Sequence, residues 1–285
     1  MSEFLKRTLF TVVAVPFAIA CIWYGDWALA ALLAILSAVG AWEFFRIART
    51  AGADPLDVIG VPAAGIMPLL AHAHQRNVFT TPPAALAVLL LGIFAAAIWM
   101  RGLARKPIAS VATTVFGVAY TGGMLTFAYL LRYHDYAVGN RAGAALLLLP
   151  FVLTWTSDIG GYLVGRAIGR HKLIPSISPG KTIEGAMGAL ALSVVASWLY
   201  VSQVLRPQAQ LTLAPVAVIT FGALISAAVQ TGDLAESMIK REAGVKDSAR
   251  ILPGHGGILD RFDGLIFALP VAYLLLDLWL LPAPR

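Results

Sequence analysis

The feature that most limits what this chain can fold into is its set of long apolar runs. They fall at about 8–24, 27–48, 57–73, 82–100, 108–131, 143–168, 184–205, 212–232 and 262–281. A helix needs about 20 mostly apolar residues to cross a bilayer, and each run reaches or approaches that length. The third is the weakest, being short and carrying Pro62 and Pro68. Only 13% of the 285 residues are charged and the mean hydropathy is +0.79, where a soluble domain carries about a quarter charged residues. The expected fold class is therefore all-α: a polytopic integral membrane protein of about nine transmembrane helices. The run behind Lys6 and Arg7 has the look of a signal peptide, and Ala18-Ile19-Ala20-Cys21 faintly that of a lipoprotein box. With apolar runs throughout the chain, it is read as a first span. Cys21 is the sole cysteine, which excludes an intramolecular disulfide and a thiolate metal cluster.

The whole of 1–285 reads as a single membrane domain, with no repeat and no low-complexity linker. Residues 1–142 look like scaffold helices; polar information is concentrated in 143–285, in two loops and the helix ends beside them. The N-terminus and the loops after spans two, four, six and eight hold most of the 21 lysines and arginines. The positive-inside rule makes that side cytoplasmic. More than half of the surplus comes from the two polar loops themselves.

The first polar loop follows Asp158, a carboxylate inside the sixth run and so a functional candidate by default. Gly161, Gly165 and Gly169 are spaced four apart, which lets a neighbouring backbone approach closely. Arg166, Arg170, His171, Lys172 and Lys181 form a basic cluster suited to anionic headgroups. The stretch Ser178-Pro179-Gly180-Lys181-Thr182 opens the seventh span. Pro179-Gly180 is expected to turn and Thr182 to cap the helix, whose exposed N–H groups beside Lys181 would suit a phosphate.

In the second loop, Asp233, Ser237 and Lys240 stand at i, i+4 and i+7, on one helix face if the eighth span continues. That stripe is either a solvated helix end or a place where metal and phosphate meet. Pro253-Gly254-His255-Gly256-Gly257 is too glycine-rich for helix or strand, and its free N–H groups could cradle an anion. Asp260, with Asp263 three residues on, is placed to cap the ninth span and complement its dipole. Capping does not exclude metal binding, since a carboxylate has two oxygens.

From Ser237 to Asp263 the residues resemble the signature of the phosphatidate cytidylyltransferase (CDP-diglyceride synthetase) family. Matching positions are Ser237, Lys240, Arg241, Lys246, Asp247, Pro253, His255, Gly256, Gly257, Asp260, Arg261 and Asp263. The first loop is similar too, with Asp158 and Tyr162 and then Ser178 to Gly185; Gly180 departs, standing where relatives often carry a basic residue. The resemblance implies transfer of CMP from CTP to phosphatidic acid, giving CDP-diacylglycerol and pyrophosphate, with Mg2+ as cofactor and room for a second cation. Asp233 and Asp260 are the expected metal ligands, with Asp158 a further candidate. Lys240, Arg241 and Arg261 would neutralise phosphate oxygens. The expected catalytic set is Asp233, Asp260, Lys240, Arg241, Arg261 and Asp263. The expected substrate-binding set is Ser178, Lys181, Thr182, Ser237, Lys246, Asp247, His255, Gly256 and Gly257. The partners implied are CTP, phosphatidic acid and the lipid bilayer, with no nucleic acid and a homodimer left open. The expected location is the inner (plasma) membrane with the site facing the cytoplasm.

Three rival readings meet the same residues. A CDP-alcohol phosphotransferase needs Asp-Gly-x-x-Ala-Arg, but Asp263-Gly264 is followed by Leu-Ile-Phe-Ala. A CTP-dependent enzyme acting on another lipid or a polyprenol would share both loops. A transporter would use Asp158, Glu43 and Asp277 as an ion path, but gives no reason for the His255 to Asp263 cluster, and the bland alternative for Glu43 is to pair with Arg46, one turn away.

Overall fold

The computed structural model describes residues 3–78, 83–101, 106–249, 251 and 256–283. Each of the nine apolar runs lies mostly in one helical segment: α1 (Glu3–Tyr24), α2 (Asp26–Thr50), α3 (Asp57–Gln75), α4 (Pro83–Met100), α5 (Pro107–Arg132), α6 (Gly139–Ile168), α7 (Ile183–Ala209), α8 (Pro215–Glu242) and α9 (Leu259–Trp279). Six of them, α2 and α5 to α9, are long and apolar enough to cross a membrane. Nine helical segments are therefore present among the described residues, while six meet the requirement for a span. The helices also expose large apolar side chains, among them Trp155, Ile159, Leu163, Trp198, Leu199 and Leu274. Water would not tolerate that surface over so many helices, whereas hydrocarbon does. The chain is a multi-pass membrane protein.

Two helices change pitch. In α5, Val118–Gly123 winds as a π-helix, and α7 ends in another, Val201–Ala209. Pro207 lies in the second, where a missing N–H removes one backbone bond. Pro62 and Pro68 do not interrupt α3.

Two compact units emerge. The first comprises 1–129 and 239–262. In α2 the buried positions Leu29, Leu33, Ser37, Ala41, Phe44 and Ala48 recur every three or four residues, the spacing of one helix face. Phe45 packs on Gly60 of α3, where an added Cβ would stand 2.5 Å from two ring carbons, so only glycine admits the ring. A small cluster of Leu56, Ile93, Ala97 and Val111 joins α4 and α5. Arg101 closes that end on Asp54 at 3.1 Å and the Pro55 carbonyl at 2.7 Å.

The second unit comprises 130–238 and 263–285. Here α6 and α7 pack through glycine: a Cβ on Gly160 would stand 2.6 Å from the Gly188 carbonyl oxygen. Hydroxyl groups tie the helices together where lipid offers no partner. Ser157 and Ser226 share a 2.8 Å bond, Ser193 donates to Gly222 O at 2.9 Å, and Tyr200 donates to Ala145 O at 2.8 Å. Between α6 and α7 lies a hairpin absent from the all-α expectation, with β1 (Lys172–Ile174) antiparallel to β2 (Ser178–Thr182). Pro179-Gly180 therefore lies in a strand, and the turn falls at 175–177, where Ile177 N bonds Ile174 O at 3.2 Å. The short β3 (Leu211–Thr212) and β4 (Leu281–Pro282) also pair antiparallel.

Candidate active site

The motif residues gather into two polar clusters, one in each unit. In the second unit, Asp158 of α6, Lys181 of β2, Thr182 and Asp233 of α8 line one cavity of about 480 Å³, with Tyr162 and Gln230. Lys181 Nζ stands 2.6 Å from Asp233 Oδ2. Ser237, one turn along α8, donates to Asp233 Oδ1 at 3.4 Å. Thr182 is the N-cap of α7, its Oγ1 accepting from Gly185 N at 3.1 Å, as the sequence led one to expect. Lys181, beside that helix N-terminus, is paired with Asp233. Three other members of the basic cluster also have fixed partners. His171 Nδ1 lies 2.6 Å from Glu184 Oε1 and Lys172 Nζ donates to Pro179 O at 2.7 Å. Arg166 donates to the Tyr162 hydroxyl at 2.6 Å. Ser178 lies in β2 opposite Ile174.

In the first unit the centre is Asp260, in the first turn of α9. Lys240 Nζ donates to Oδ1 at 2.7 Å. Ser248 N and Oγ and Gly257 N reach Oδ2 at 3.0, 3.0 and 2.9 Å. The pair is mostly buried, with side-chain exposures of 13% and 8%. Asp260 does not cap α9. It folds back onto Gly257 and Ser248, and the N–H groups of Ile258 and Leu259 donate to Glu43 of α2 at 2.9 and 2.8 Å. Arg261 N and Phe262 N bond the Ile258 carbonyl. Gly256 has φ +84°, a left-handed backbone that glycine takes without strain, which bends the chain so that Gly257 N faces Asp260. The free N–H expected at Gly257 is thus taken up by a carboxylate. His255 lies outside the described residues.

Lys246 and Asp247 line a second cavity, of about 500 Å³, with Arg46, Thr50 and Ser248. Arg241 and Arg261 are exposed, and Asp263 accepts from Gly264 N at 2.7 Å.

Sequence reasoning missed Glu43 and Ser248 as members of a cluster. The sequence offers Glu43 either an ion path or a pairing with Arg46, yet its oxygens accept from Ser248, Ile258 and Leu259, while Arg46 lies over the Trp42 ring at 5.6 Å. The one signal available was a carboxylate in an apolar helix.

Among the described residues no group of three or more His, Cys, Asp or Glu side chains forms a metal cage. Mg2+ asks for less, typically one or two carboxylates with substrate phosphates and water. Asp233 and Asp260 each present hard oxygen donors to a cationic group within 2.7 Å, so their chemistry fits such an ion.

The profile of the cytidylyltransferase family matches residues 5–279. The chain belongs to the cytidylyltransferase family. A protein named phosphatidate cytidylyltransferase from Synechocystis is 31% identical over 300 residues, 94% of each chain. Relatives of the same name from Staphylococcus saprophyticus and Bacillus subtilis are 41% and 42% identical over 162 and 142 residues. Those two alignments span 57% of each chain for the first, and 49% of this chain and 50% of the relative for the second.

Proposed function

We propose that this cytidylyltransferase transfers CMP from CTP to phosphatidic acid, yielding CDP-diacylglycerol and pyrophosphate. One observation carries the reading: the Synechocystis phosphatidate cytidylyltransferase aligns with 94% of this chain. In the reaction a lipid phosphate oxygen attacks the α-phosphorus of CTP and pyrophosphate leaves. By analogy with phosphoserine, whose second pKa is about 6, the attacking phosphate is largely ionised at pH 7. No general base is therefore needed, and catalysis falls to positioning and charge neutralisation.

The residues divide accordingly. Asp233 and Asp260 are the proposed Mg2+ ligands, with Asp158 and a second cation as additions to that arrangement. The ion would neutralise phosphate charge. Lys240, Arg241 and Arg261 neutralise phosphate oxygens, and the role of holding the triphosphate or the departing pyrophosphate goes to Lys181 and to residues 255–257. Nine spans, an inner-membrane location and a cytoplasmic site complete the proposal. The basic excess on one side of the apolar runs supports that orientation, and it suits an enzyme with one substrate in the leaflet and one in the cytosol.

The test uses purified protein in detergent with CTP, Mg2+ and phosphatidic acid. Pyrophosphate and CDP-diacylglycerol should form together and cease when Mg2+ is chelated. Formation of neither overturns the reading, and transfer only to another lipid or a polyprenol replaces the acceptor.

A further inference from the structure

We infer that Glu43 is a positioning residue for CMP transfer: it fixes the Gly257–Leu259 turn and, with Ser248, the direction in which Asp260 presents its carboxylate. The inference rests on the function proposed above.

Glu43 is fully buried, at 0% exposure, in an apolar helix that carries none of the motif residues. A carboxylate in such a place must be compensated by hydrogen bonds. Oε1 accepts from Ile258 N at 2.9 Å; Oε2 accepts from Leu259 N at 2.8 Å and faces Ser248 Oγ at 2.9 Å. The two backbone donors directly precede Asp260 and lie at the positive end of α9, where an anion is favoured. Ser248 Oγ is also 3.0 Å from Asp260 Oδ2. A hydroxyl has one proton, so it bonds one carboxylate at a time and links the two. Gly257 completes the fit: a Cβ there would stand 2.6 and 2.7 Å from the Glu43 oxygens. A cap alone requires no such link. This arrangement ties the orientation of Asp260 to a residue more than 200 positions away in sequence.

Glu43→Gln is nearly isosteric but keeps one carbonyl oxygen, and its NH2 opposes a backbone N–H. Glu43→Asp keeps both oxygens on a shorter arm. Three quantities are read on each: transfer kinetics against CTP, melting in detergent, and the Mg2+ concentration giving half-maximal thermal stabilisation without substrate. Partners that orient a metal ligand are typically worth 10–100-fold. Glu43→Gln should therefore lower kcat about 10–100-fold with KM for CTP little changed, and raise the Mg2+ requirement by a similar factor. Glu43→Asp should recover part of kcat. An unchanged kcat overturns the inference. So does a loss that follows the folded fraction while the Mg2+ requirement stays at the wild-type value. Should Glu43→Gln not fold, Glu43→Asp is read by the same criteria. A wild-type protein without transfer overturns the proposed function and this inference together; an active wild type with an unaffected Glu43 variant overturns the inference alone.

Discussion

Asp260 illustrates how much one residue's role depends on where its neighbours go. In sequence, Asp260 and Asp263 have cap spacing at the mouth of an apolar run. In the structure the Asp260 carboxylate gathers Lys240, Ser248 and Gly257, and α9 receives its cap from Glu43. The two roles predict different losses. Removing a cap costs about 0.5–2 kcal/mol and spares turnover. Asp260→Asn should instead abolish transfer, by more than the 10–100-fold typical of a residue that only orients a metal ligand, in a protein that still elutes as a folded species. Thr182 is the contrasting case, because its hydroxyl does cap, at 3.1 Å from Gly185 N. Thr182→Ala should lower unfolding stability by about 0.5–2 kcal/mol, and Thr182→Ser should retain it; chemical denaturation in mixed micelles reads both.

At the scale of elements, helix contacts in this protein are set by small residues and hydroxyls. Gly160→Ala places a methyl 2.6 Å from the Gly188 carbonyl oxygen. Such overpacking typically costs 1–3 kcal/mol, and a fall in melting temperature without a change in KM would check it. The link between α5 and α6 supplies a pH dependence. His134 is 4% exposed, and burial pushes its imidazole below the ordinary 6.5 despite the opposing pull of Asp277 and Asp135. The unfolded chain therefore binds the proton more readily. Its stabilising contribution is complete above pH 6.5 and falls as pH drops below that value, until the folded form also protonates. Melting from pH 7.5 to 5.5 should fall less steeply for His134→Gln than for wild type. The glycine spacing was readable from sequence because four-residue periodicity is local. The β1–β2 hairpin was not, since a two-strand pairing around 175–177 leaves no periodic signal in so short a loop.

For the molecule as a whole, orientation is the property with the sharpest test. Cys21 is the only cysteine, so Cys21→Ser gives a background for single-cysteine labelling. Ser176, exposed in the hairpin turn, and Gln208, exposed at the end of α7, lie on opposite sides in the proposed topology. Ser176→Cys should react with an impermeant maleimide from the cytoplasmic face and Gln208→Cys from the other; the reverse pattern would invert the topology. The sequence alone determined the helical membrane class, because hydrocarbon demands long apolar runs, and the family, because fixed polar residues from Ser237 to Asp263 have few other uses beside a bilayer. Tertiary structure alone decided which oxygen meets which donor. The partnership of Glu43 with Ile258 joins residues 215 apart, and the pairing of Lys181 with Asp233 depends on how α7 and α8 pack. No local pattern encodes such contacts: they arise when carboxylates brought in by packing take the nearest N–H or ammonium that the folded chain provides, most stringently for Glu43, which is buried and denied water.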